Sequence, residues 1–202
     1  MTSKKKNSVK RQLIEWGILL GVLGVLFVTG WHKNVAAGLQ QLLLKTGVMQ
    51  ASVQKETDRV AAAYNFQLKT LEGKLVSFEE FKGKTVFMNL WATWCPPCIA
   101  EMPDIHELYK EVNSDKVKFV MISLDENPQK AAKFIQRKGY TFPVYIVSGN
   151  LPRVYASRSI PTTFVISPQG KIAIKRKGIA SYNTRKFKKS LYQIANPPPP
   201  KN

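Results

Sequence analysis

Cysteine is scarce in this sequence, because only Cys95 and Cys98 occur among its 202 residues. A secreted scaffold held together by disulfides needs more than one pair. A structural zinc site normally takes four ligands, and the chain has no second CxxC and only two histidines, His32 and His106. These absences favour a redox pair over a scaffold or a metal site. No cofactor is expected beyond a redox-active Cys95–Cys98 disulfide.

Acidic residues are also few, with 13 Asp and Glu against 31 Lys and Arg and a net charge of +18. Such an excess is typical of proteins that meet nucleic acid or an anionic membrane. The sequence has no zinc-finger, RNP-like or basic-zipper pattern, so we expect no nucleic-acid partner. The basic residues concentrate instead in residues 1–11, which hold five, and in residues 171–189, which hold eight. We expect the second group to be a solvated surface; docking on anionic lipid or an acidic partner is the alternative.

One long apolar run covers residues 13–31 and carries a single charge, Glu15. As a helix it would be about 28 Å long, close to the roughly 30 Å hydrocarbon core of a bilayer. A tryptophan near each end is typical of a membrane interface. The basic residues before the run place residues 1–12 in the cytoplasm and residues 32–202 outside the bacterial cytoplasmic membrane. We predict a retained anchor; a signal peptide cleaved near residues 35–37 is the alternative.

The remaining chain is predicted to contain a linker, one domain and a tail. Residues 32–63 are expected to be the linker, with a short amphipathic helix near the membrane as an equal alternative. Residues 64–196 form the predicted domain. Residues 197–202 form a short proline-rich tail, which we expect to be disordered.

Within the domain, strand and helix patterns alternate. Strands are predicted in a hairpin over 66–78 and at 85–90, 117–124, 143–147, 162–167 and 171–175. Helices are predicted at 96–112, at 127–138 and at 183–194. For the second helix, Asn127 is the expected N-terminal cap and Gly139 the end. This alternation predicts an α/β sheet with helices on both of its faces.

Cys95 and Cys98 open the helix that is predicted directly after a buried strand. A helix N-terminus stabilises a thiolate, and lowering a thiol pKa from about 8.5 to about 7 raises the thiolate fraction at neutral pH from roughly 3% to 50%. Pro96 and Pro97 suit a first helical turn, although they remove two N–H donors. Disulfide exchange needs an attacking thiolate and a resolving thiol, and this spacing supplies both.

Residues near the pair in sequence extend the candidate site. Trp94 directly precedes Cys95, and Asn89 and Trp91 are expected to line the end of the strand beneath it. Glu101 follows Cys98 by three residues and could carry protons on the same helix face. Spacing alone favours a surface glutamate.

Two more positions lie farther along the chain. Ile160 and Pro161 stand at the start of a predicted strand, about 65 residues after the cysteines. If their peptide bond is cis, this backbone can lie beside the sulfur atoms; an ordinary trans proline entering a strand is the alternative. His106 is expected to be a surface residue of the helix and not a base.

Two segments, FKGKTVFMNLWATWCPPCIAEMP and SIPTTFVISPQGKI, closely resemble the TlpA/ResA-type family of thioredoxin-like proteins. The resemblance covers about residues 64–195. It implies a thioredoxin-like fold with an inserted strand and helix, here at about 125–147, preceded by one N-terminal transmembrane helix.

The same resemblance implies roles for individual residues. Cys95 would be the nucleophile, Cys98 the resolving cysteine, Pro161 the cis-proline and Glu101 the family's active-site glutamate. Asn89 stands where thioredoxin has a buried aspartate, so thioredoxin's own proton route is not expected here.

The family also implies a task and partners. Many members are anchored by one span and reduce disulfides of exported proteins, often during cytochrome c maturation, with electrons from a membrane thiol transporter. The sequence leaves three other functions open: a thiol oxidant of exported proteins, a copper-binding module that uses both thiols, and a non-catalytic scaffold.

Overall fold

The computed structural model describes residues 12, 14–18, 20–22, 24–25 and 59–197. The described residues between 12 and 25 are helical and exposed. Within the described part of the chain, no helix is both long enough and apolar enough to cross a bilayer. Outside the described residues lie the rest of the predicted basic tail and of the predicted span, linker residues 32–58 and tail residues 198–202.

A seven-stranded mixed sheet forms the centre of the domain. Its strands are β1 (Gln67–Thr70), β2 (Leu75–Ser77), β3 (Thr85–Trp91), β4 (Val117–Ser123), β5 (Val144–Ser148), β6 (Thr162–Ile166) and β7 (Ile172–Lys177). They lie in the order β2-β1-β5-β4-β3-β6-β7. Strands β3, β4 and β5 are mutually parallel, and every other pairing is antiparallel. Strands β3 and β4 are buried almost throughout, as expected for the middle of a sheet that is covered on both faces.

Three α-helices and two short 3-10 helices complete the domain. The α-helices are α1 (Pro96–Val112), α2 (Pro128–Lys138) and α3 (Arg185–Ala195), and the 3-10 helices are Phe78–Phe81 and Arg153–Tyr155. Helix α1 continues through Pro103 to its end. The Asn127 side chain accepts a hydrogen bond from Gln129 N (2.9 Å), and α2 ends at Gly139 with φ of 67°. These are the cap and the end that the sequence predicts.

The three α-helices all pack on one face of the sheet, so the expectation of helices on both faces is wrong. Their buried side chains join a hydrophobic cluster with Phe87 of β3 and Phe119 of β4. The opposite face, with Met88 and Val120, is covered by the two 3-10 helices and by residues 62–66. The connections β3-α1-β4 and β4-α2-β5 advance across the sheet in one direction. Right-handed crossovers in one direction place both helices on the same face.

The predicted element positions agree with the structure to within two residues. The hairpin over 66–78 appears as β1 and β2, and the helix predicted at 96–112 has those bounds. The predicted insertion at about 125–147 contains α2 and β5, with β5 parallel to β4. The mixed α/β sheet is therefore confirmed, whereas the transmembrane helix and the domain limits stay predictions.

A substitution at Asn127 tests whether this N-terminal cap stabilises α2. Replacing Asn127 by alanine removes the acceptor for Gln129 N, and we expect the free energy of unfolding to fall by about 1 kcal/mol. Urea denaturation measures this change. Asn127→Ser, which keeps a capping oxygen, should stay close to the wild type; an equal loss in both variants would show that the cap does not stabilise α2.

Candidate active site

Cys95 is the N-terminal cap of helix α1, which begins at Pro96. The Cys95 Sγ atom accepts a hydrogen bond from Cys98 N at 3.2 Å, and Cys95 N donates to Ala92 O at 3.2 Å in the turn that follows β3. Pro96 and Pro97 occupy the first two helical positions. Since prolines have no N–H, Cys98 N is the first backbone donor of the helix, and it is directed at the Cys95 sulfur.

Cys95 and Cys98 form a disulfide whose two sulfurs differ in access to solvent. Cys95 is 4% exposed and Cys98 is fully buried. Trp94, immediately before the pair, is 58% exposed. Both cysteines are thus buried, and Cys95 is the one of the two that keeps a small exposed fraction.

The Ile160–Pro161 peptide lies beside this sulfur and is cis. The carbonyl oxygen of Ile160 is 3.8 Å from Cys95 Sγ. This approach depends on the antiparallel pairing of β6 with β3, where Thr162 lies opposite Leu90. The cis bond expected from the sequence pattern and from the resemblance is thus present, and the two distant motifs meet.

Glu101 lies one turn after Cys98 and is fully buried, unlike the surface glutamate that spacing alone favoured. Its Oε1 accepts a hydrogen bond from Asn89 Nδ2 at 2.8 Å, and its Oε2 accepts one from Ala180 N at 3.2 Å. Burial raises the pKa of Glu101 to about 8, with a smaller upward contribution from Asp104; the two hydrogen bonds and the charge of Arg176 act in the opposite direction. This carboxyl can therefore gain or lose a proton near neutral pH.

Asn89 connects Glu101 to a second group of buried polar side chains. Its Nδ2 also donates to Thr163 Oγ1 at 2.9 Å, across the β3–β6 pairing. The same Thr163 oxygen accepts a hydrogen bond from the Tyr182 hydroxyl at 2.7 Å. Asn89 and Tyr182 are both fully buried, and Thr163 lies between them. Asn89 occupies the position beneath the site that the sequence predicts.

Asp125 holds the loop that leads to Cys95. It follows β4, and its carboxylate accepts hydrogen bonds from Thr93 N (3.0 Å), Thr93 Oγ1 (2.6 Å) and Ser123 Oγ (2.8 Å). Thr93 precedes Cys95 by two residues. The start of the insertion is thereby tied to the loop that presents the candidate nucleophile.

Trp91 and His106 both pack against or bind other parts of the domain. Trp91 is fully buried and its ring packs near that of Phe134, with centroids 5.7 Å apart. His106 is half-buried and not a free surface residue, because its Nε2 accepts a hydrogen bond from Thr141 N at 3.2 Å. It connects α1 to the insertion and lies more than two helical turns beyond the disulfide.

Three polar residues of this site were not predicted from the sequence, namely Thr163, Asp125 and Tyr182. A polar side chain just after a buried parallel strand is a signal that could have identified Asp125. Thr163 lies in a strand that was predicted, but its position opposite Asn89 depends on the strand register. For Tyr182 no local pattern distinguishes it from an ordinary core aromatic.

A scan against protein families matches residues 60–175 to the AhpC/TSA family. Among curated proteins, the thiol-disulfide oxidoreductase ResA of Bacillus thuringiensis subsp. konkukian is 38% identical over 175 residues, which cover 86% of this chain and 90% of that protein. ResA of Halalkalibacterium halodurans is 39% identical over 111 residues; this match covers 54% of the chain and 63% of that relative, which is under two thirds of its length.

A solved structure supports the same relationship. The structure of StoA from Bacillus subtilis superposes with a TM-score of 0.53 and 32% identity, over 63% of this chain and 95% of that one. Fold, cysteine pair and sequence similarity therefore agree: the chain belongs to the AhpC/TSA family and, within it, to the ResA-type thiol-disulfide oxidoreductases.

Proposed function

We propose that this protein reduces disulfides of exported proteins by dithiol–disulfide exchange, with Cys95 as the nucleophile and Cys98 as the resolving cysteine. The observation that carries the proposal is the unequal access of the two sulfurs at a helix N-terminus. Cys95 caps the helix and keeps a small exposed fraction, whereas Cys98 is fully buried. A dipole-stabilised thiolate at the helix N-terminus, with an enclosed thiol one turn further along the helix, suits a two-step exchange.

The exchange begins from the dithiol form. The Cys95 thiolate attacks one sulfur of a substrate disulfide, forms a mixed disulfide and releases the other substrate sulfur, which takes up a proton. The Cys98 thiol then loses its proton and attacks Cys95 Sγ. This step releases the second substrate sulfur as a thiol and leaves the Cys95–Cys98 disulfide, so that two electrons pass from the pair to the substrate.

Glu101 is the proposed carrier of the Cys98 proton. It lies one turn along α1 from Cys98, it is buried, and its raised pKa of about 8 lets its two protonation states interchange near neutral pH. Asn89 and Ala180 hold both carboxyl oxygens, which keeps the group in one orientation. The ionised form can accept the proton as Cys98 attacks.

The loop at Ile160 and Pro161 is the proposed contact for the substrate backbone. Its carbonyl oxygen lies 3.8 Å from Cys95 Sγ, so a chain whose disulfide reaches Cys95 must pass this loop. Trp94 directly precedes Cys95, and its exposed side chain offers an apolar surface. Pro96 and Pro97 support the site by starting the helix without competing donors.

We place the domain, residues 64–196, on the outer side of a bacterial cytoplasmic membrane. The apolar run at 13–31 and the basic residues before it support a single anchor with residues 1–12 inside. Residues 32–63 would then be the linker. A membrane thiol transporter would return electrons to the disulfide, and apocytochrome c is one candidate among exported substrates. A nucleic-acid partner is not proposed.

Serine variants test the order of the two cysteines. Cys95→Ser should abolish reduction of insulin disulfides, because the accessible sulfur is lost. Cys98→Ser should form mixed disulfides that cannot be resolved, and mass spectrometry of trapped complexes measures this and identifies the substrates. Normal turnover by Cys98→Ser would show that the resolving role is misassigned.

The midpoint potential of the Cys95–Cys98 couple tests the direction of electron flow. For a reductase we expect a midpoint potential well below about −200 mV. For an oxidant the midpoint potential would be near about −120 mV. Fluorescence or alkylation in buffers of known potential measures the value. A potential in the upper range would replace the reductase by an oxidant.

Glu101→Gln tests the protonation of the buried carboxyl. The folded-state pKa lies above the ordinary value of 4.5, so the folded protein binds more protons than the unfolded chain between pH 4.5 and about 8. The free energy of unfolding of the wild type minus that of Glu101→Gln should therefore be constant below pH 4.5. Between pH 4.5 and about 8 this difference should fall by up to about 1.4 kcal/mol for each pH unit. Urea denaturation of the oxidised proteins measures both curves.

The matched control is Glu126→Gln, which changes an exposed glutamate just after Asp125. It should keep the wild-type dependence of stability on pH. Parallel curves for wild type and Glu101→Gln from pH 5 to 8 would rule out a raised pKa at Glu101.

A further inference from the structure

Arg176 of β7 is a charged residue to which the proposed exchange assigns no role. It lies directly opposite Thr163 of β6, and Thr163 lies directly opposite Asn89 of β3. Residues that are directly opposite in antiparallel strands share one face of the sheet. Because Asn89 donates to Glu101 of α1, this shared face is the one that α1 covers. The Arg176 side chain therefore leaves the sheet on the side of the candidate proton carrier.

The two lysines beside Arg176 in β7 leave the sheet on the other side, because successive side chains of a strand alternate between its faces. Lys175 Nζ lies 5.2 Å from the ring centroid of Phe164, which belongs to the hydrophobic cluster on the opposite face. Lys175 and Lys177 are exposed, whereas Arg176 is half-buried. Arg176 is thus the basic residue of β7 that is directed toward α1.

The guanidinium of Arg176 contacts the peptide group that joins Ile179 to Ala180. Its Nη2 donates to Ile179 O at 3.5 Å, and the N–H of the same peptide, on Ala180, donates to Glu101 Oε2 at 3.2 Å. The C=O and the N–H of a trans peptide point in opposite directions. This peptide therefore lies between the cation and the carboxyl, with its dipole aligned from one to the other.

A cation at the carbonyl end of this peptide strengthens the hydrogen bond at its N–H end. Hydrogen bonds in a chain polarise one another, and the cation also opposes rotation of the peptide plane away from Glu101. The Nη2–O distance is long, so the charge of the guanidinium contributes more here than the bond itself. A stronger donor favours the ionised carboxyl over the protonated one, because the ionised oxygen is the better acceptor.

The positive charge of Arg176 is not neutralised by direct contact. Within the described part of the chain it makes no ion pair, and its buried Nε has no hydrogen-bond partner. A partly buried charge without a partner costs free energy. Arg176 therefore contributes little to the fold through contacts of its own, and its charge acts on the groups around it.

We propose that Arg176 is a positioning residue that acts through the Ile179–Ala180 peptide to hold the Ala180 N–H on Glu101 and to favour the ionised carboxyl. The ionised form is the one that accepts the Cys98 proton. The proposal rests on the proton-carrying role of Glu101 for its effect on exchange, whereas the effect on the carboxyl itself does not depend on that role.

The other groups that act on Glu101 come from the elements packed against it. Burial disfavours the ionised carboxyl most, and Asp104, one turn along α1, adds to this effect. Tyr182, between β7 and α3, is neutral at physiological pH, because burial raises its pKa well above the ordinary value. Cys98 does not titrate while it is in the disulfide. In the oxidised protein, Arg176 is thus the positive charge that opposes burial and Asp104.

Arg176→Met in the oxidised, full-length protein tests the proposal, because it removes the charge and the donor and keeps a long side chain. NMR of protein labelled with ¹³C at the glutamate carboxyl carbon titrates Glu101, and Glu101→Gln identifies its signal. We expect the apparent pKa of Glu101 to rise by about one pH unit, as for the loss of one nearby opposite charge. The Ala180 amide proton should move upfield, because its hydrogen bond weakens.

Two further variants separate the charge of Arg176 from packing and from net charge. Lys175→Met is the matched control, because it removes one positive charge from the preceding residue on the opposite face. It should leave the Glu101 titration and the Ala180 amide signal as in the wild type. Arg176→Lys keeps a positive charge on the face of α1 and should raise the pKa of Glu101 less than Arg176→Met does.

The pH profile of insulin reduction connects the carboxyl to the exchange. In Arg176→Met this profile should shift upward by the same amount as the pKa of Glu101. A shifted carboxyl titration with an unshifted reduction profile would keep the role of Arg176 and remove that of Glu101, so the two proposals fail separately.

The proposal is overturned if Arg176→Met leaves the Glu101 titration unchanged or lowers its pKa. It is also overturned if Arg176→Lys raises the pKa as much as Arg176→Met, since packing and not charge would then be responsible. An unchanged Ala180 amide signal would exclude the path through the peptide. Should Arg176→Met not fold, Arg176→Gln takes its place, because glutamine is neutral and keeps a polar end.

Discussion

The antiparallel pairing of β3 with β6 is the constraint on which the candidate site depends. Its register sets Leu90 opposite Thr162 and Asn89 opposite Thr163. The first pair brings the Ile160–Pro161 peptide to the Cys95 sulfur, and the second brings Thr163 to the amide beneath Glu101. A shift of one residue would turn every side chain of β6 to the opposite face of the sheet and separate both sets of contacts.

Burial of Glu101 is the electrostatic counterpart of this geometry. The carboxyl is fully enclosed and has hydrogen bonds from Asn89 and Ala180 but no ion-pair partner within contact distance among the described residues. Two neutral donors compensate only part of the cost of removing a charge from water. The group is thereby left with an affinity for protons that suits transfer near neutral pH, at some expense of stability.

Local signals in the sequence predicted most of the fold. Capping and glycine signals defined α2 at Asn127 and Gly139, and a buried run followed by CPPC located β3 and α1. The prediction that helices cover both faces of the sheet was wrong, because the face that a helix covers depends on the order of the strands. Spacing could not reveal that Glu101 is buried, since the segment around Ala180 that encloses it lies far along the chain. Tyr182 was missed for the same reason.

The unequal exposure of the two sulfurs also constrains the order of events in a reaction cycle. Under the proposed function, a protein that supplies electrons and a protein that consumes them would both react at Cys95, because Cys98 is enclosed. The two partners would then bind the same surface, one after the other. Each partner would have to dissociate before the other can bind, which would limit the useful affinity of both.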